Sequence, residues 1–184
     1  MANKDAKRTL KMKKLTYALA KLIDVVGYLC GLLLILMVLN VFYDVVMRYV
    51  FNNPSIGMQE LEWHLFATMF MFGIGYTLKE RGHVRVDIVY DRLSPKAQAW
   101  IDLIGGLVFA IPFTALIVYY GYGYAFDAFE MGEGSADPGG LPHRWIIRSV
   151  VPIASIFVIL CLIHGLLENI QSLRSQPSSK ETST

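Results

Sequence analysis

The side chains able to do chemistry in this sequence fall into two groups separated by long apolar stretches. The first holds Asn40, Asp44 and Arg48, then Glu60, Glu62 and His64. Asp44 and Arg48 are four residues apart, as are Glu60 and His64, so on helices each pair can meet on one face. Such pairs can be satisfied ion pairs that join neighbouring helices at headgroup level. They can equally form an interface for another subunit, because polar side chains within apolar helices face protein rather than lipid. The second group holds Lys21, Asp24, Asp102, His164 and Glu168, with His83, Arg85 and Asp87 between apolar runs. Taken singly these read as interfacial residues with their charge in water. Opposite charges on three helix ends can also fix a bundle at that side, which makes Asp24, His83, Arg85, Asp87 and Asp102 a candidate structural cluster.

Neither group has the makings of an enzyme site. There is no hydrolytic triad, no glycine loop able to cradle phosphate and no cluster of metal ligands, so no catalytic residue, metal or cofactor is expected. Histidines raise the question of haem. His64 sits about 9 Å in from Met58 and His164 about 28 Å in from Trp145, at ~1.5 Å per helical residue. The two fall near opposite surfaces and cannot share one iron. A site pairing His164 with His83 stays open, which keeps a haem- or quinone-associated redox anchor as the alternative reading. Cys30 and Cys161, both inside apolar runs, read as small core residues rather than a disulfide or zinc thiolates. The net charge is +2, and no nucleic-acid partner is expected.

The elements that must position these groups are written in the hydropathy. Apolar residues make up 54% of the 184, and charged ones 17%, against about 25% in ordinary soluble domains; mean hydropathy is +0.44. Four long apolar runs, at about 22–47, 58–78, 100–126 and 145–167, each approach the ~20 residues that cross ~30 Å of hydrocarbon. A charge at the centre of such a helix costs about 2.5–3.5 kcal/mol, and every charge here lies toward a span end or in a loop. The fold expected is an all-α integral membrane domain of four transmembrane helices over 22–168. It lies between a basic N-terminus (1–21) and a disordered Ser-rich tail (169–184). The basic start resembles a signal peptide, but its apolar run is too long and lacks a small-residue cleavage site, so it reads as an uncleaved first span.

Lysine and arginine alternate between segments. Seven precede the first span and five follow the second (Lys79, Arg81, Arg85, Arg92 and Lys96), whereas the first loop offers Arg48 alone. The third connection is acidic, with Asp127, Glu130, Glu133 and Asp137. This pattern places both termini and the second loop in the cytoplasm. Within that loop, Val86, Val89, Tyr90 and Leu93 recur at helical spacing, so a short amphipathic interfacial helix is expected over about 85–93. Ser94-Pro95 then supplies an N-cap and first-turn proline, and Pro112 should kink the third span. Gly73, Gly75, Gly105 and Gly106 read as sites of close helix packing, and Gly139-Gly140 as a compact outer turn. No internal repeat and no mid-span carboxylate is present, so the chain is not expected to carry a solute alone.

Several strings resemble one family. Arg48-Tyr49-Val50-Phe51-Asn52, Gln59-Glu60-Leu61-Glu62-Trp63-His64-Leu65-Phe66, Gly82-His83-Val84-Arg85-Val86-Asp87 and Asp137-Pro138-Gly139-Gly140-Leu141-Pro142-His143-Arg144-Trp145 resemble the small membrane subunit of TRAP (tripartite ATP-independent periplasmic) transporters, the DctQ-like family. The likeness covers about 22–168 and omits the two tails. It implies a bacterial inner-membrane location, membrane lipid as surroundings, a large DctM-like membrane subunit that carries the transport site, and a DctP-like periplasmic substrate-binding protein. It implies uptake of a small organic acid or related solute, driven by a sodium gradient that the partner subunit uses. The small subunit would then be a non-catalytic scaffold. Its candidate partner interface comprises Asp44, Arg48, Tyr49, Phe51, Glu60, Glu62, Trp63, His64, Glu130, Glu133, Gly139, Gly140 and Trp145. Charge reversal at Glu60, Glu62 and Glu133 is expected to weaken uptake without preventing insertion.

Overall fold

The structure is a computed structural model that describes residues 2–80 and 92–175. All regular elements among them are helical: α1 (Ala2–Tyr49), α2 (Ile56–Lys79), α3 (Pro95–Ile104), a π-helical stretch (Gly105–Ala110), α4 (Ile111–Glu130) and α5 (Trp145–Ser175). The interfacial helix expected over about 85–93 falls almost wholly outside the described residues.

Local chemistry sets several of the boundaries. Ser55 caps α2 by accepting from the Met58 N–H, and Ser94 caps α3 by accepting from the Ala97 N–H, with Pro95 in the first turn. α3, the π-helical stretch and α4 run on as one rod. Pro112 can donate no hydrogen bond to the preceding turn. The backbone answers just before it by widening, with the Ile111 N–H donating to the carbonyl of Gly106, so the disturbance expected at Pro112 takes the form of a π-helical segment.

Two end segments differ from the sequence-based division. The basic start, read as a separate 1–21 segment, continues α1 back to Ala2. The tail, read as beginning at 169, is helical to Ser175. Between these two segments, Gln171 Nε2 donates to Thr16 Oγ1 at 2.8 Å, tying the far end of α5 to α1.

The helices form a row, folded at one end so that α1 also touches α5, rather than a closed bundle. α2 packs along α1 on one side and α5 on the other, and α4 packs mainly on α5. The core is small, with Ile23, Phe157 and Cys161 buried where α1, α2 and α5 converge, and Val26, Phe72 and Leu78 against them. Large apolar side chains such as Leu32, Ile35, Leu39 and Phe42 on α1, and Phe113, Leu116 and Tyr120 on α4, point outward. Among the described residues, three helices are long and apolar enough to cross a membrane, within Met12–Tyr49, Ala97–Glu130 and Trp145–Gln171. α2, at 24 residues, spans about 36 Å. It is not among the three, because Gln59, Glu60, Glu62 and His64 crowd its first turns.

Two of the four glycines read as packing sites do that work. A Cβ at Gly75 would lie 2.5 Å from the Phe157 ring and 2.9 Å from Cys161 Sγ, and one at Gly106 would lie 3.2 Å from Leu166. Gly73 and Gly105 face open space. Gly75→Ala should therefore destabilise the α2–α5 seam by about 1–3 kcal/mol. Gly73→Ala should be neutral or stabilising by up to about 1 kcal/mol through helix propensity. Thermal unfolding of the two purified variants in the same detergent checks the contrast.

Candidate partner interface at the acidic-loop end

The C-terminus of α1, the N-terminus of α2 and the residues joining α4 to α5 meet at one end of the row. On α1, Asn40, Asp44 and Arg48 share a face. Asn40 and Asp44 are buried. Asn40 Nδ2 donates to the Met58 carbonyl at 2.9 Å, fastening α1 to the start of α2. Arg48 Nη2 donates to Asp44 Oδ2, so the pairing expected from the four-residue spacing forms.

The second four-apart pair behaves differently. Glu60 is only 7% exposed, and its carboxylate turns to the loop rather than to His64. Oε1 accepts from Ser135 Oγ at 2.5 Å and Oε2 from the Leu141 N–H at 2.6 Å. His64 Nδ1 instead sits 2.5 Å from the Glu60 carbonyl. A carboxylate receiving two donors makes stronger bonds than neutral partners would, and an imidazole on the same helix offers no comparable fit.

The loop is folded to deliver those donors. The Ser135 N–H donates to the Leu141 carbonyl and the Gly140 N–H to that of Asp137, both at 3.0 Å. Ser135 Oγ also accepts from the Asp137 N–H at 3.1 Å. Gly139 takes a φ of +85°, a conformation that favours glycine. At Gly140 a Cβ would fall 2.3 Å from Ser135 Oγ and 2.8 Å from Glu60 Oε2, so the approach to the carboxylate requires glycine. Glu133 anchors the other flank: its Oε1 accepts from Arg148 Nη2 at 2.5 Å, with Arg144 Nη1 at 4.0 Å. The Arg148 guanidinium lies 4.0 Å over the Tyr124 ring. Trp145 packs edge-on against Phe129.

The thirteen residues proposed from sequence thus divide by exposure. Asp44 and Glu60 are buried; Arg48, Glu62, His64, Glu133, Gly140 and Trp145 are half-buried; Tyr49, Phe51, Trp63, Glu130 and Gly139 are exposed. Glu60 and Glu133 are engaged within the chain, so reversing their charge would open the loop before it could report on a partner. Sequence reading missed Ser135 and the Leu141 N–H. A serine in a Gly-rich loop carries no pattern, and a backbone donor has no sequence signal at all.

At the opposite, basic end, Lys79 Nζ pairs with Asp24 Oδ1 and so joins α2 to α1. Burial alone would lower the Lys79 pKa. The hydrogen bond and charge of Asp24, with Glu80 and Tyr76 nearby, outweigh it and hold the ammonium above the ordinary lysine range. A raised lysine pKa contributes stability that is present below the unfolded value of about 10.4 and fades only as pH climbs past it. The pair therefore persists across neutral pH. Asp102 borders a cleft of about 320 Å³ between α3, the π-helical stretch and α5. His83, Arg85 and Asp87 lie outside the described residues. His164 is 1% exposed, with Nε2 at 3.8 Å from Glu168 Oε1. It sits toward the basic end of α5, whereas His64 lies near the opposite end on α2, as the residue count implies.

Glu60→Ala should leave the Leu141 N–H and the Ser135 hydroxyl without their acceptor and destabilise the protein by about 1–3 kcal/mol. Ser135→Ala should cost about 1 kcal/mol. The double variant should lose less than the sum of the two single losses, since both report one contact. Melting temperatures in detergent, with protease sensitivity of residues 131–144, read the effect.

Residues 37–172 match the family described as tripartite ATP-independent periplasmic transporters, DctQ component. The chain is also similar to two proteins of Haemophilus influenzae, each described as a TRAP transporter small permease protein. One is 28% identical over 160 residues, covering 86% of this chain and 94% of the relative. The other is 28% identical over 104 residues, covering 56% and 62%.

Proposed function

This chain belongs to the DctQ component family of tripartite ATP-independent periplasmic transporters, and from that premise we propose that it is the non-catalytic scaffold subunit of a sodium-driven transporter in the bacterial inner membrane. α2 is the fourth span, and both termini lie in the cytoplasm. The acidic-loop end then faces the periplasm, where a substrate-binding protein docks, and a large membrane subunit carries the solute, a small organic acid or a related compound.

The observation that carries this reading is the placement of the ionisable groups. Asp44, Arg48, Glu60, Glu133 and Arg148 gather at one end and Asp24, Lys79 and Glu168 at the other. The intervening helix surfaces present apolar side chains to their surroundings. A scaffold needs rims that hold its shape and faces that pack on lipid or protein. The groove between α1 and α2, about 480 Å³ and bordered by Cys30, Gly31, Leu34, Met69, Phe70 and Gly73, suits a helix of the large subunit, because glycines let backbones approach. The exposed Tyr49, Phe51, Trp63 and Glu130, with the half-buried Glu62, are the side chains offered to the binding protein.

Two measurements test the proposal. A fluorescent reporter should be active when fused to either terminus, and a periplasmic phosphatase should be active when inserted near Gly134 and inactive at either terminus. Termini on opposite sides would overturn the four-span reading. In the reassembled transporter, Trp63→Ala combined with Glu62→Lys and Glu130→Lys should reduce uptake at least about tenfold, the factor that ~1.4 kcal/mol of lost docking supplies. The amount of assembled membrane complex should be unchanged. Full uptake in that variant would remove the docking role from this surface.

A further inference from the structure

A second feature of the acidic-loop end takes no part in the Glu60 contacts. A cleft of about 500 Å³ opens between the end of α1, the link into α2 and the tip of the acidic loop, bordered by Asp44, Met47, Asn53, Ser55, Met58 and Gly139. The Asp44 side chain is 6% exposed, and its Oδ1, free of Arg48, has no hydrogen-bond partner. One turn deeper, Asn40 Oδ1 is likewise buried and unpartnered, and so is Arg48 Nε one turn above. A buried carboxylate oxygen left without a donor is costly. Of these three residues Asp44 alone borders the cleft, and its orphaned acceptor beside the partly exposed guanidinium of Arg48 describes a ligand with a hydrogen-bonding cation at one end and an anionic group at the other.

We propose that this cleft binds the headgroup of an ethanolamine phospholipid, with the primary ammonium donating to Asp44 Oδ1 and the phosphodiester lying against the Arg48 guanidinium. Charge selects this occupant. Asp44 and Arg48 already neutralise each other, so a lone cation such as a partner's lysine would leave an uncompensated charge in a largely buried site. A zwitterion matches both members of the pair. Arg48 is 39% exposed, so part of its guanidinium remains outward-facing. Position agrees: Tyr49 and Phe51 are exposed just beyond the site, and Ile35, Leu39 and Phe42 are exposed just below it. That sequence of aromatic over aliphatic side chains marks the level of lipid headgroups. The inference rests on the membrane placement proposed above.

The test compares headgroups that differ in one property. The full chain is reconstituted with equal amounts of phosphatidylethanolamine, phosphatidylcholine and phosphatidylglycerol, and the lipid it retains is measured by native mass spectrometry. Choline carries no N–H, so ethanolamine lipid should be retained about tenfold over choline lipid, the factor that one charge-assisted hydrogen bond supplies. In Asp44→Asn the preference should fall to within about twofold. Equal retention by the native chain overturns the proposal. So does preferential retention of the glycerol lipid, which would mark a simple anion site, or an undiminished preference in the variant. Should Asp44→Asn fail to fold, melting of the native protein in ethanolamine against choline nanodiscs decides instead, with a higher midpoint expected in the former and equal midpoints overturning it. A chain that holds lipid without discriminating defeats only the headgroup site; a chain recovered outside membranes defeats the membrane reading beneath it.

Discussion

The Glu60 carboxylate holds the two halves of this protein in register. α1 and α2 form one antiparallel pair, and α4 and α5 form another. Glu60 reaches from the first pair into the loop that closes the second, accepting from Ser135 Oγ and the Leu141 N–H. It thereby fixes the height of α2 against α5, which lets Gly75 meet Phe157 and Cys161 in the middle of the seam. A membrane interior supplies no net hydrophobic drive between helices, because lipid tails are as apolar as leucine. Polar brackets at the ends and close packing along the seam are then the forces available to set the relative position of the pairs.

The opposite end repeats the device with different chemistry. Lys79 to Asp24 joins α2 to α1, and Gln171 to Thr16 joins α5 to α1. Each bracket joins residues far apart in sequence and lies where water or headgroups limit the desolvation cost of a charge. The row of helices is thus pinned at both rims and seamed through its centre.

Much of this was legible in the sequence, and the illegible parts share a cause. Long apolar runs marked a helix at each of the four expected spans. The four-residue spacing of Asp44 and Arg48 predicted their pairing, since both partners lie on one helix and local periodicity is enough. Ser94-Pro95 predicted a helix start for the same reason. Glu60 shows where this reasoning stops. Its spacing to His64 is as favourable as that of Asp44 to Arg48, yet its partners come from a loop 75 and 81 residues away. Tertiary donors outcompete a local one when they are backbone N–H and hydroxyl groups aimed at the carboxylate. Likewise nothing local distinguishes Gly75, which is packed, from Gly73, which is open; the difference lies in whether α5 happens to face that position.

The open row also explains why so apolar a chain has so little interior. With α2 flanked by α1 and α5, and α4 on the far side of α5, much of each outer helix has no partner within the chain. Burying those faces internally would require a closed bundle, and a closed bundle would leave no groove between α1 and α2 in which Gly31 and Gly73 remain uncovered. The same economy of contacts at the acidic-loop end leaves Asp44 with one oxygen bonded and one orphaned, although Arg48, Asn40 and Ser55 all lie nearby. A sequence that satisfies Glu60 with two donors could have satisfied Asp44 as well, and an incompletely partnered buried carboxylate beside a cleft is the form expected of a surface completed by something other than the chain itself.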